Sequence, residues 1–283
     1  MKLKYLAFLL IAVIAFSCND DDDDDDKHDP VAQALIDDDL LVEFLQSHHI
    51  NEDKRVDTIL NGETPLYDLV ETEDISYEDV NYKLYYYKDP DSPEPDDNRR
   101  NPTKFDSIQT LYQGFLLDST KFDENLNFTS SKSWMYLPGL IKGWQYGFPH
   151  FQEGDKVIYD DETFGYENTG KGILFIPSGL AYADAGSITI PANSVLYFYI
   201  ELGKVKIVDT DQDMVIDAKE DLDQDGSLIN DDTDGDSIPN YADSDDDGDG
   251  KLTKDEDANG DGDPTNDFTN GGNIPDYLNK DVN

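Results

Sequence analysis

From Asp209 onward the chain places carboxylates at every second position, and this spacing limits what its last quarter can become. Asp209, Asp211 and Asp213 are followed at the twelfth place by Glu220, and Asp221, Asp223 and Asp225 by Asp232. Asp232, Asp234 and Asp236 lead in the same way to Asp243, and Asp245, Asp247 and Asp249 to Glu256. A fifth start, Asp257-x-Asn259-x-Asp261-Gly262, lacks the twelfth-place acid. Successive starts lie 12, 11, 13 and 12 residues apart, which makes the segment an internal repeat. Residues 209–283 carry 25 acids, 4 bases and only three aromatics: Tyr241, Phe268 and Tyr277. Apolar burial alone cannot offset the chain entropy of such a stretch.

Oxygen ligands at places 1, 3 and 5, Gly at 6, an apolar residue at 8 and Glu at 12 define a twelve-residue calcium loop. Asp245–Glu256 meets every one of these conditions, with Gly250 and Leu252 at the sixth and eighth places. The abutting loops leave no room for the flanking helices of paired EF-hands. The segment resembles thrombospondin type-3 and bacterial Asp-rich calcium repeats. Ile238-Pro239-Asn240-Tyr241 and Ile274-Pro275-Asp276-Tyr277 fit that family's Ile-Pro-(Asn/Asp)-Tyr repeat. The resemblance implies structural Ca2+ held by the acids named above. Without metal the same composition reads as a disordered acidic tail.

Acids outnumber bases 64 to 21 over the whole chain, for a formal charge of −43. Nucleic acid is excluded as a partner, because a phosphate-binding surface must be basic. So is attachment to anionic lipid through a polybasic patch. Lys2 and Lys4, the apolar run Leu6–Phe16 and a small Ser17 read as a secretory signal over residues 1–17. That run is too short to span a bilayer. Its end, Ala15-Phe16-Ser17-Cys18, resembles a bacterial lipoprotein signal, which implies a lipid on Cys18 and a membrane anchor. Cys18 is the chain's one cysteine and has no disulfide partner; plain secretion is the other reading. Seven consecutive aspartates, Asp20–Asp26, follow in the segment 18–29. A like-charge run stays extended. It reads as a tether or, by resemblance to Bacteroidetes surface lipoproteins, as an export signal.

The spacing of Val31, Leu35, Leu41, Phe44, Leu45 and His48 predicts an amphipathic helix over 31–49, within a helical or extended segment spanning 30–79. Residues 51–78 show only weak periodicity. Strands are expected at Val80–Tyr87, Ser107–Leu117, Lys171–Ile176 and Val195–Leu202, and irregular structure through the four prolines of Asp89–Pro102. Leu140–Phe151 is the one short helix candidate of the aromatic region, kept brief or kinked by Gly143, Gly147 and Pro149. No nucleophile set, phosphate-cradling loop or His/Cys cluster stands out. His150 reads as structural. By composition alone, the middle region's aromatics make a core.

Their order adds more. Tyr112-Gln-Gly114-Phe-Leu-Leu-Asp118-Ser-Thr-Lys-Phe122-Asp123 resembles the second-strand motif of the FK506-binding-protein family of peptidyl-prolyl isomerases. Leu140-Ile141-Lys142-Gly143-Trp144, Phe151-Gln-Glu-Gly154-Asp-Lys156 and Ile176-Pro177-Ser-Gly-Leu180-Ala181-Tyr182 resemble three further blocks of that family. Ile190-Pro191 through Leu202 resembles its last strand, and all five blocks stand in family order. The resemblance implies an α+β domain over 80–208, a curved antiparallel sheet packed on a short helix, that isomerises X–Pro bonds of polypeptides without a cofactor. It implies Trp144 as the floor of a proline slot, and Tyr112, Phe122, Trp134, Ile141, Ile190 and Phe198 as its walls. Tyr182 and the Ile141 backbone N–H would donate to substrate carbonyls, with Asp123 at the rim.

The chain departs from the family pattern at Ser119 and Ala183, where glycines are usual, and no Arg follows Asp123. Val157–Gly170 is an insertion expected to form a hairpin near the slot. The sum is a monomeric envelope protein, lipid-anchored at the outer membrane, that helps exported proteins fold and carries a calcium-stabilised tail. A catalytically weak binding module with a calcium-dependent spacer is the alternative.

Overall fold

Strands with a two-residue period present two faces, and in this chain both are apolar. The computed structural model describes residues 29–282 except 94, 97 and 130–132. The signal, Cys18 and the Asp20–Asp26 run lie outside the described residues. Eleven strands are present among the described residues: β1 (His48–Ile50), β2 (Val56–Thr58), β3 (Glu71–Tyr77), β4 (Val80–Lys88), β5 (Ser107–Leu116), β6 (Lys121–Asn125), β7 (Trp134–Tyr136), β8 (Asp155–Ile158), β9 (Phe164–Glu167), β10 (Gly170–Ile176) and β11 (Leu196–Lys206). Two α-helices join them, α1 (Pro30–Ser47) and α2 (Lys142–Gly147). The central sheet runs β3-β4-β10-β11-β5-β6, with β7 also on β5, and every pairing is antiparallel.

Leu84, Tyr86, Leu174, Ile176, Phe198 and Ile200 face Trp144 and Phe148 on the α2 side. Their chain neighbours Tyr85, Tyr87, Ile173, Phe175 and Tyr197 face Leu41, Phe44 and Leu45 of α1 on the other. The expected sheet-on-helix architecture is therefore present, with a second helix on its outer face. The boundary drawn at residue 80 does not separate two bodies, because β3 is an edge strand of the same sheet and α1 covers it. β3 shows no sequence alternation since, of its seven residues, only Ile75 is buried.

Asp29 caps α1 by accepting the Val31 and Ala32 N–H groups at 3.0 and 3.1 Å, and Pro30 begins the first turn. The helix ends at Ser47, short of the expected 49, because His48 turns extended and its ring stacks on Phe44 at 4.0 Å. Val31 and Leu35, expected on the inner face, are exposed, and Ala34 and Asp37 are buried in their place. Asp37 sets that rotation: its Oδ2 accepts the Ser178 backbone N–H at 2.7 Å and the Ser178 hydroxyl at 2.6 Å.

The expected helix over 140–151 is a short α2 followed by a 3₁₀ turn at Phe148–His150 around Pro149. Its glycines serve close packing. A Cβ on Gly143 would collide with Ile176, and one on Gly147 would lie 2.7 Å from Leu174 Cδ1. The insertion does form a hairpin, β8–β9, but away from the slot. Tyr166 packs on Phe128, and Gly154 N donates to Gly203 O at the far end of β11. Ser119 and Ala183 both adopt positive φ, 68° and 46°, the backbone that glycine favours. The tail meets the sheet domain through Lys104–Asp221 at 3.3 Å, and Val208, the last residue before the tail, donates its N–H to Asp106 Oδ1 at 3.2 Å.

Asp37→Ala would leave the Ser178 N–H and hydroxyl unpaired in a buried site. We expect a loss of about 2–3 kcal/mol in denaturant unfolding, the usual cost of removing a charged acceptor from buried donors. An unchanged midpoint would show that this link does not hold α1 to the sheet.

Candidate functional site

A cavity of about 260 Å³ opens on the α2 face of the sheet. β5 supplies Tyr112, β6 Phe122 and Asp123, the α2 N-terminus Ile141 and Trp144, and β11 Phe198; the loop between β10 and β11 adds Tyr182 and Ile190. Eight of the nine residues expected at the slot thus converge on it. Trp134 does not. It is 46% exposed, and Met135 lines the cavity instead. Strand alternation explains the difference: Met135 pairs with buried Ile108 of β5, so Trp134 and Tyr136 point the other way. Leu140, Ser187 and Thr189, not expected there, also line the wall.

Trp144, 4% exposed, forms the base. Tyr112, Phe198 and Phe148 meet its ring edge-on at centroid distances of 5.0, 5.2 and 5.1 Å. Phe122 stands edge-on to Phe198 at 5.5 Å. Edge-to-face contacts of this kind are a favoured arrangement of aromatic rings and hold these side chains against one another. The Tyr112 hydroxyl donates to Asp123 Oδ2 at 2.7 Å, and Asp123 Oδ1 accepts the Glu124 N–H at 2.9 Å. Burial and the neighbouring Asp123 raise the pKa of the Tyr182 phenol. Tyr182 and Ile141 line the cavity, and neither the Tyr182 hydroxyl nor the Ile141 N–H has a protein acceptor among the described residues.

The tail carries a second kind of site. Fourth-place residues Gln212, Gln224, Gly235, Gly248 and Gly260 all have positive φ, between 60° and 80°. So do sixth-place Met214, Gly226, Ser237, Gly250 and Gly262, between 81° and 95°. The repeat therefore imposes its backbone whether or not glycine is present. Third-place oxygens accept fifth-place N–H groups, as Asp247 does from Asp249 at 3.1 Å, and fifth-place oxygens accept from the seventh, as Asp225 does from Ser227 at 2.7 Å.

These turns gather Asp209/Asp211/Asp213, Asp221/Asp223/Asp225, Asp232/Asp234/Asp236 and Asp245/Asp247/Asp249 into groups whose oxygens lie within 4.8 Å. Asp243 and Glu256 stand outside these groups, close enough that neighbouring loop acids add to burial in raising their pKa values, that of Glu256 to about 7. Twelve buried carboxylate oxygens of the tail find no hydrogen-bond partner among the described residues. A hard, oxygen-binding cation fits such a donor set.

Residues 98–203 match the model of the family described as FKBP-type peptidyl-prolyl cis-trans isomerase. The chain is 33% identical over 105 residues to the FKBP-type peptidyl-prolyl cis-trans isomerase FkpA of Escherichia coli, covering 37% of this chain and 33% of that protein. It is 34% identical over 109 residues to an FK506-binding protein of Neisseria meningitidis serogroup C, covering 38% of this chain and 85% of the relative. The chain thus spans about a third of the length of the FkpA relatives and most of the shorter one. Superposition on the crystal structure of FkpA from Escherichia coli gives a TM-score of 0.36 at 22% identity, covering 62% of this chain and 61% of that one. No helix among the described residues is long and apolar enough to cross a membrane.

Proposed function

Because this chain belongs to the FKBP-type peptidyl-prolyl cis-trans isomerase family, we propose that its aromatic slot accelerates cis/trans rotation of X–Pro bonds in exported polypeptides. One observation carries the reading: side chains from β5, β6, α2, β11 and the β10–β11 loop wall one aromatic slot over Trp144. Rotation about the peptide bond meets a barrier of roughly 18–20 kcal/mol because it breaks amide resonance. X–Pro bonds have little ground-state preference, so the barrier alone sets their rate. The planar amide is the more dipolar state, and an apolar slot that strips its water favours the twisted one. Trp144 supports the prolyl ring in this reading. Tyr182 O–H and Ile141 N–H hold the flanking carbonyls, and Tyr112 fixes Asp123 at the rim.

No proton is transferred, so the rate should be flat across neutral pH. The raised pKa of Tyr182 keeps its phenol a donor into the alkaline range. In a proline-peptide assay on the chain, we expect Tyr182→Phe with Asp123→Ala to lower kcat/KM by about tenfold to a hundredfold, the range for losing one or two such contacts. An FK506-like ligand should inhibit the wild type. A wild-type rate equal to the uncatalysed one would leave the binding-module reading, which one feature favours: Asp123 makes no ion pair among the described residues.

The tail is proposed to be a calcium-stabilised element. Its unpartnered buried carboxylates support this, since calcium takes six to eight oxygens and supplies the missing counter-charge. We expect residues 209–283 to resist protease in millimolar calcium and to be cut readily in chelator, with magnesium protecting less. Asp245→Ala with Glu256→Gln should remove at least one ion. Identical digestion with and without calcium would reduce the tail to a solvated spacer.

Cys18 is proposed as the lipid-carrying residue that anchors the protein in the cell envelope, its place after Ser17 supporting the reading. Labelled fatty acid should enter the wild type and not Cys18→Ser. Equal labelling of the two would reject the anchor.

A further inference from the structure

The alternating pattern of the tail leaves one buried acid unexplained. Asp246 occupies the second place of its repeat, where no ligand is expected, yet it is 1% exposed. Its Oδ2 accepts the Thr253 hydroxyl at 3.1 Å, and its Oδ1 has no partner. It meets Asp213 and Glu220 of the first repeat, with one oxygen from each of the three within 4.8 Å of the others. Glu220 is fully buried and neither of its carboxylate oxygens has a partner. Asp213, also fully buried, spends Oδ1 on the Val215 N–H at 2.8 Å and leaves Oδ2 unpaired. The adjacent base, Lys219, is turned away to Asp263 and Thr265, at 2.7 and 3.0 Å.

Three enclosed carboxylates without a cation would repel one another and forfeit their hydration. Three buried carboxylates, each offering one oxygen within 4.8 Å of the other two and together carrying four oxygens without a hydrogen-bond partner, suit a hard divalent ion with an oxygen shell. We propose that Asp213, Glu220 and Asp246 hold a divalent cation of the calcium class that joins the first repeat to the fourth. The proposal rests on the reading of the tail as a metal-binding element and goes beyond it. The repeats are then not independent beads, because an ion shared across residues 220 and 246 orders the chain between them as one unit. Tyr277, 2% exposed, lies close enough to feel the charges of Asp246, Glu220 and Asp213, so its phenol can serve as an antenna for a lanthanide bound there.

The test titrates the full chain with calcium by calorimetry and with Tb3+ by luminescence excited through tyrosine. Asp246→Asn, nearly isosteric, should lose one ion or weaken one site at least tenfold, and should lower the sensitised emission; Asp255→Asn, exposed in the same repeat, should change neither. Tyr277→Phe leaves every carboxylate in place, so it should keep the ion count and lower the emission even if Asp246→Asn does not fold. A wild type that binds calcium while Asp246→Asn keeps every ion and the emission overturns the shared site alone. A wild type that takes up no calcium overturns the reading of the tail and this site with it.

Discussion

A sheet apolar on both faces must be covered on both, and most of this molecule follows from that requirement. β10 and β11 carry it furthest, since Ile173 and Phe175 point to one side while Leu174, Ile176 and Phe198 point to the other. α1 covers the first side through Leu41, Phe44 and Leu45. α2 covers the second, and because it has only six residues it leaves part of that face open. The slot is this uncovered remainder, floored by Trp144 and walled by the strands that curl around it. Gly143 and Gly147 bring the helix axis close enough to β10 for Trp144 to reach Tyr112 and Phe198.

The same interaction ties the outer helix to the slot. Asp37 on α1 grips Ser178, which follows the sheet's central strand and begins the loop that carries Tyr182. A charge buried on one face therefore fixes the start of a loop that lines the other. The strained backbone at Ala183 sits one residue past Tyr182, where surrounding structure must hold it.

The tail obeys different physics. Val215, Leu228 and Tyr277 are among its few buried apolar side chains, and they are outnumbered by buried acids. Burial and mutual repulsion push Asp246 up to about 9 and Glu220 up to about 10. Where the sheet domain is held by excluding water, the tail gathers charge and needs an opposite charge to stay gathered. Lys104 gives it a small share of that through Asp221.

Contiguous signals were the ones legible in the sequence. The strands β4, β5, β10 and β11 are visible as near-continuous apolar and aromatic runs because both their faces are buried, and five short blocks in order placed eight of the slot residues. β3 escaped notice because an edge strand with one buried side chain has no visible period. Trp134 misled because composition says that an aromatic is present and not which way it points; pairing of Met135 with Ile108 decided that. The inner face of α1 was misjudged at Val31 and Leu35 because a hydrogen bond from Ser178, 141 residues away, set the helix rotation. By itself the sequence determined the four long inner strands, the short helix, the identity of eight slot residues and the spacing of the carboxylates, all of which depend on residues near one another in the chain. Only the tertiary structure decided that α1 belongs to the sheet, that Met135 replaces Trp134, and that Asp246 meets Glu220. Those outcomes turn on contacts between distant segments, whose direction no local pattern encodes.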